Sequence, residues 1–507
     1  MTQTAAAQNT KRAHLARQLG LWSIVGLGLG YMTPTTVFDT FGGVAQESNN
    51  LVPLAYIVAL VVMLFTAISY GRMTRVFPSA GSAYTYASET IHPNVGFVVG
   101  WSSLLDYLLL PMVNALIGKN YFESFFPDAP VWIFVVVYVA FITALNFWSM
   151  KGTSNINLVL VVFQSVAILT FCVLAWVQLT QGVGNGTPWS IKPLFHSPVE
   201  LTNLLTAATI VCFSFIGFDA ITMYSEEAKS PNTVPKAIVV ALLIGGAIFF
   251  LGAWFSQSVF PNYTDILHSN PGLNADKLIS DSTLPPMAFA VGGTWFKIFF
   301  TAASMGAMVA SSLSSHASVS RMIYVMGRNG KGPVSRFLSY IHPRFFTPTN
   351  AVILVGFVSL LAIPMALDTA YSLINFGALI AFSFVNLTVI VYFAIRRKEV
   401  KTFVQVLRNV ILPAVGLGLT ILLWINLSAD ALIAGAVWLV IGVFLLVYLT
   451  RFFKRPLTMK MEEEVLAEEG TPIPHVHHND DAIAGYSDEA TDASPEPAGD
   501  SSSTSGH

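Results

Sequence analysis

Residues 26–43 read GLGLGYMTPTTVFDTFGG, and residues 213–220 read FSFIGFDA. Each stretch interrupts a long apolar run with glycine and polar residues, including a single aspartate, near the middle of the run. Glycine tolerates non-helical torsions and proline lacks an amide donor. Gly28, Gly30 and Pro34 are therefore expected to unwind the first run, and Gly217 sits within the second interruption. Backbone freed in this way faces a substrate. The GLGLG spacing is not a dinucleotide fingerprint, because no strand precedes it and its glycines do not fit that pattern.

The runs around these interruptions decide the fold class. The chain has 507 residues, 54% hydrophobic and 11% charged, against about 25% charged in an ordinary soluble domain. Twelve stretches match the length that crosses a hydrocarbon core: 19–45, 51–71, 94–118, 131–149, 156–179, 203–226, 236–260, 286–315, 350–366, 371–394, 411–427 and 431–451. Runs this continuously apolar are helical, since lipid offers the backbone no partner. The expectation is an all-α integral membrane protein of twelve transmembrane helices. Its first and sixth spans are the interrupted ones. Five spans separate their starts, an odd number, so the second copy enters from the opposite face. This is a five-plus-five inverted repeat, about 19–179 and 203–394, with two extra helices at 411–451 and a binding site at the discontinuous helices 1 and 6.

Charge orients the bundle. With the N-terminus inside, 22 of the 26 Lys and Arg residues face the cytoplasm, leaving Lys119, Lys192, Lys277 and Lys297 outside; both ends are then cytoplasmic. Residues 1–460 carry ten surplus positive charges, and this loop bias points to a lipid bilayer as partner and not to nucleic acid. Residues 1–18 read as a cytoplasmic segment leading into a retained span, because the apolar run after Lys11, Arg12 and Arg17 is too long for a signal-peptide core. Residues 456–507, rich in Glu, Asp, Ser and Pro, read as a disordered acidic cytoplasmic tail. His475, His477 and His478 in that tail lack the fixed geometry of a metal site, and no metal or other cofactor is expected. Cys172 and Cys212 lie within apolar runs and form no ligand cluster or disulfide framework.

Three acids lie within the spans away from their ends: Asp39, Asp106 and Asp219. A carboxylate at a helix centre costs roughly 2.5–3.5 kcal/mol on insertion scales, so each marks a functional hypothesis needing a partner. No lysine or arginine lies at comparable depth, so the missing positive charge arrives as a substrate ammonium or a proton. Two mid-depth carboxylates, Asp106 and Asp219, suit a diamine, one for each ammonium. Asp39, further out, either serves substrate entry or caps a helix end. Phe213, Phe215, Phe218, Tyr31, Trp101 and Tyr107 are candidate wall residues for an alkylammonium. Glu226 and Glu227 are candidates for an inner gate or a helix cap. The hydroxyls and His316 of SSLSSH (311–316) are accounted for equally by interhelical hydrogen bonds. No converging nucleophile, base or metal cluster supports an enzyme.

Seven segments together carry a family resemblance: YMTPTTVFDTFG (31–42), PSAGSAYTYA (78–87), HPNVGFVVGWSSLLDYLLLPM (92–112), TIVCFSFIGFDA (209–220), SEEAKSPNTVPKAI (225–238), SHASVSRMIYVMGR (315–328) and INFGALIAF (374–382). Over residues 15–455 the chain resembles the amino acid–polyamine–organocation (APC) permeases, and within them the bacterial putrescine importers. The resemblance implies the LeuT-like inverted-repeat fold, alternating access, and putrescine uptake across the cytoplasmic membrane with protons. It assigns substrate roles to the glycine break of span 1, Tyr107 and Asp219. Gly30-Tyr31-Met32-Thr33-Pro34 replaces the small-residue signature with which amino-acid members hold a carboxylate, which favours an amine without one. Span 5 has no lysine, Gln164 being its nearest polar residue. Ethanolamine, 4-aminobutyrate and a neutral amino acid are the alternative substrates; the sequence predicts no oligomeric state.

Overall fold

The computed structural model describes residues 19–78, 81–148, 153–195, 199–225, 227–329, 333–342 and 347–450. Glu226, the N-terminal segment and the tail with its histidines lie outside the described residues, which all belong to one compact unit, Met1–Thr458.

The described residues are helical throughout, apart from turns and one isolated bridge between Leu19 and Ala228. The principal helices are α1 (Leu21–Met32), α2 (Thr36–Asp39), α3 (Phe41–Glu47), α4 (Val52–Val76), α5 (Ser82–Thr90), α6 (Pro93–Phe125), α7 (Val131–Trp148) and α8 (Thr153–Thr180). There follow α9 (Leu201–Phe215), α10 (Thr233–Val259), α11 (Leu284–Asn329), α12 (Thr349–Ser359), α13 (Leu367–Val389), α14 (Leu412–Ile425) and α15 (Ala429–Leu449). Among the described residues nine helices are long and apolar enough to cross a membrane, and Val131–Phe147 and Thr349–Ala362 are shorter apolar helices. The chain is a multi-pass membrane protein.

Helix α11 outruns its apolar stretch. The expected span 286–315 is the N-terminal part of a helix from Leu284 to Asn329, broken once at Gly293. Its later turns carry on through polar residues because those residues find partners: His316 Nε2 meets the Val352 carbonyl at 2.9 Å, and Tyr138 Oη meets Ser312 Oγ at 2.8 Å. The SSLSSH segment thus makes interhelical hydrogen bonds, one of the two readings its sequence allowed.

Helix α6 is central. It packs against α11 and α13, while α4 runs along α10 and α1 lies against α8 and α10. On its outer flank Trp101 stacks on Trp438 of α15, with ring centroids 4.7 Å apart. Each indole N–H donates to the other tryptophan's carbonyl, at 2.8 and 2.9 Å. A Cβ at Gly442 would collide with the Trp101 ring, so the close approach of α15 depends on that glycine.

Candidate functional site

The two interrupted stretches lie at the centre of the unit, and each breaks by its own local chemistry. Helix α1 stops at Met32, and Thr33 takes a left-handed conformation (φ 48) before Pro34. For a β-branched residue this backbone is strained. Thr36 holds it by directing its hydroxyl (2.6 Å) and its amide (2.9 Å) onto the Thr33 carbonyl. Helix α9 stops at Phe215; Ile216 is extended, Gly217 has φ 119, and Asp219 leads into a 3-10 turn at Ala220–Tyr224. Only glycine fits at 217, on two counts: the positive φ, and a Cβ that would lie 2.6 Å from Tyr31 Cδ1.

Asp219 is 3% exposed. Its Oδ2 accepts the Tyr107 hydroxyl at 2.6 Å and its Oδ1 accepts the Gly217 amide at 3.2 Å. Its own carbonyl accepts the Thr222 hydroxyl at 2.6 Å, which fixes the turn. Asp106, one residue before Tyr107 on α6, is buried beside α13, where Gly377 approaches its amide. Asp106 and Asp219 lie within each other's electrostatic field, and the Tyr31 hydroxyl lies in the field of both. Asp106 Oδ1 and Tyr31 Oη have no hydrogen-bond partner among the described residues. Nor does any lysine or arginine among them pair with Asp39, Asp106 or Asp219. The cluster holds two carboxylates and two phenols with unused acceptor capacity, which suits a cationic donor.

A small cavity of about 10 Å³, room for one water, adjoins this cluster. Its lining includes Tyr31, Thr33, Leu110, Asn114, Ile117 and Phe213. Asn114 Nδ2 donates to Ser311 Oγ at 3.1 Å, and Ser311 Oγ donates to the Tyr31 carbonyl at 3.3 Å, so one of the carbonyls orphaned at the end of α1 is served from α11. Phe213 packs on Tyr371 with ring centroids 4.2 Å apart. Pro111 lies inside α6, where it withholds the amide that would serve the Tyr107 carbonyl.

The profile of the amino acid permease family matches residues 19–450. The chain belongs to the amino acid permease family. It is similar to the low-affinity putrescine importer PlaP of Escherichia coli (strain K12), at 44% identity over 89% of this chain and 97% of that protein. It is also similar to the branched-chain amino acid permease BcaP (26%) and the methylthioribose transporter (25%) of Bacillus subtilis (strain 168), each over 87% of this chain and 94% of the relative.

In this permease several expected site residues have other duties. Gly28 and Gly30 lie within regular α1, not at the break, which falls at Thr33–Thr35. A Cβ at Gly28 would collide with the Ile221 side chain, so this glycine lets α1 pack against the turn that follows the second break. Trp101 is committed to Trp438 and does not line the cavity. Phe215 packs with Tyr56 and Phe249, and Phe218 with Tyr70 and Phe382, all core contacts. Tyr31, Tyr107, Phe213, Gly217 and Asp219 do converge, with Asp106 beside them.

Asp39 stands apart. Its Oδ1 accepts the Tyr121 hydroxyl at 2.7 Å and the Ser282 hydroxyl at 2.5 Å. The Thr283 hydroxyl donates to the neighbouring Phe38 carbonyl at 2.5 Å, so the end of α2 is fastened to the start of α11. Glu227 acts through its backbone: its carbonyl accepts the Leu19 amide at 3.0 Å, and the Lys229 amide donates back to the Leu19 carbonyl at 3.0 Å. Asn114, Tyr121, Ser282 and Tyr371 escaped sequence reasoning, whereas Ser311 opens the SSLSSH segment that it singled out. Asn114 alone left a signal, as an amide within the apolar run of span 3.

Proposed function

We propose that this permease imports putrescine across the bacterial cytoplasmic membrane by alternating access. The observation that carries the reading is the Tyr107–Asp219 hydrogen bond at the second break, in a cluster with no basic partner among the described residues. One ammonium of the diamine docks on Asp219, with freed carbonyls of the two breaks completing its shell. Asp106, in the field of Asp219, is the counter-charge for a second positive charge, an ammonium or a proton. The 44%-identical relative being a putrescine importer supports putrescine. Ethanolamine, 4-aminobutyrate or a neutral amino acid is the alternative reading, since a single ammonium satisfies Asp219.

The architecture we propose has twelve spans: the nine long helices, the two shorter apolar helices, and the interrupted α1–α3 stretch as the first. Residues 19–179 and 203–394 form the inverted repeats and 411–451 the two extra helices, within a transporter body 19–455. The loop charges support cytoplasmic ends. On that topology Phe213 and Tyr371 close the outer side of the cavity, and Glu227 with Leu19 the inner side.

Membrane potential supplies much of the drive. Moving two positive charges inward gains about 4.6 kcal/mol at 100 mV, roughly three decades of accumulation. Proton coupling through Asp106 adds to this, and uptake that ignores an imposed pH gradient at clamped potential would exclude it. The deciding experiment is uptake of labelled putrescine into inside-negative proteoliposomes, with unlabelled 4-aminobutyrate and ethanolamine as competitors. Saturable uptake, blocked by putrescine alone and lost in Asp219→Asn, is the expected result; no uptake above empty liposomes by folded protein would move the substrate to a monoamine or amino acid.

A further inference from the structure

We propose that Asn114 reads the second amine of the diamine and so discriminates diamines from monoamines, an inference that rests on the proposed function. Helix α6 presents one face to the centre of the molecule. Tyr107, Leu110, Asn114, Ile117 and Tyr121 follow one another at helical spacings of three and four residues, and all are buried. Polar residues recur along this face every second turn: Tyr107 binds Asp219, Asn114 binds Ser311, and Tyr121 binds Asp39. Between Tyr107 and Asn114 lies apolar Leu110, and Leu110, Asn114 and Ile117 all line the small cavity with Phe213.

The spacing fits the ligand class. Seven residues of α-helix rise about 10.5 Å. An extended four-carbon diamine spans about 6 Å between its nitrogens, and a hydrogen bond at each end adds about 2.9 Å. A diamine with one ammonium on Asp219 thus brings the other to the level of Asn114, its methylenes against Leu110 and Phe213. Ammonium groups only donate, so the reader at the far end must accept. Asn114 is held for that purpose. Its Nδ2 is committed to Ser311, whose hydroxyl is committed in turn to the Tyr31 carbonyl, and this leaves Oδ1 as the accepting atom. Among the described residues no donor is bonded to that oxygen.

The test compares wild type, Asn114→Leu and the near-isosteric Asn114→Asp in proteoliposomes, measuring putrescine KM and the inhibition constants of n-butylamine, 1,3-diaminopropane and cadaverine. Asn114→Leu is expected to raise the putrescine KM about tenfold while the n-butylamine constant stays unchanged. Asn114→Asp is expected to tighten diamines selectively. Putrescine and n-butylamine weakened alike in both variants would make Asn114 merely structural and overturn the inference. A diamine preference that survives both substitutions would overturn it too, assigning the second amine elsewhere, with Asp106 first in line. Wild-type protein that ignores putrescine altogether would sink the proposed function along with it, a result visible before any variant is made.

Discussion

Asp39 and Asp219 are each 3% exposed, each follows a broken helix, and each accepts a tyrosine hydroxyl from α6. Their remaining partners differ in kind. Asp39 and the adjoining Phe38 carbonyl are bonded by Ser282 and Thr283, residues some 240 positions away that begin another helix. Asp219 is bonded by its own neighbours Gly217 and Thr222, and sits in the field of a second, under-bonded carboxylate. A buried acid that ties distant elements together acts as a fastener. One whose only other bonds come from its own turn, beside unused acceptor capacity, is poised for something that arrives from outside. The contrast favours the structural reading of Asp39 and supports the proposal that Asp219 is the substrate carboxylate.

That contrast is open to direct attack. Asp219→Asn should lower putrescine kcat/KM on the order of 100-fold, the scale of removing one partner from a buried charge pair, with the melting temperature in detergent nearly unchanged; unaffected transport would erase the distinction. The two tyrosines sharpen it next. Tyr107→Phe should raise KM about tenfold through loss of one hydrogen bond to a charged group, whereas Tyr121→Phe should leave KM alone and show itself in thermal unfolding. Asp39→Asn should cost about 1–2 kcal/mol of stability, read as a lower Tm, with uptake kinetics preserved.

The smallest effect belongs to a third acid, at the loop leading into α11. Burial, and then the nearby Glu123 carboxylate, raise the pKa of Asp281 above the ordinary carboxylate range, with Lys277 opposing them. For a raised folded-state pKa, the stabilising contribution is complete below the unfolded value of about 3.9 and is lost as pH rises through the folded value. Asp281→Asn should therefore raise Tm slightly at neutral pH, and the difference should vanish near pH 4. A difference that grew on acidification would reverse the sign of this argument.

Much of this architecture was legible in one dimension. Apolar run length gives the helices, and the paired interruptions mark where two of them break, because both signals are local. The three intramembrane acids stood out for the same reason: charge is rare at depth and needs a cause. What the sequence concealed depends on distant partners. Gly28 looks like a point of unwinding and is instead a point of close packing, a distinction that exists only once Ile221 is opposite it. Trp101 looks like a wall of the site until Trp438, 337 residues later, takes both its ring face and its indole N–H. The first break falls at Thr33, whose hydroxyl-bearing neighbour Thr36 bonds the strained turn, a role no composition rule assigns to threonine.

The clasp between Leu19 and the segment Glu227–Lys229 is made of peptide groups alone. Any motion that parts the start of α1 from the chain following the second break must undo two hydrogen bonds, a net penalty of about 1 kcal/mol each. A hinge restrained in this way has a stiffness indifferent to side-chain identity. The side chains of Glu227 and Lys229 take no part in the clasp, whereas Ala228 between them is buried in the core; a proline at position 229 would delete a donor and set the door ajar.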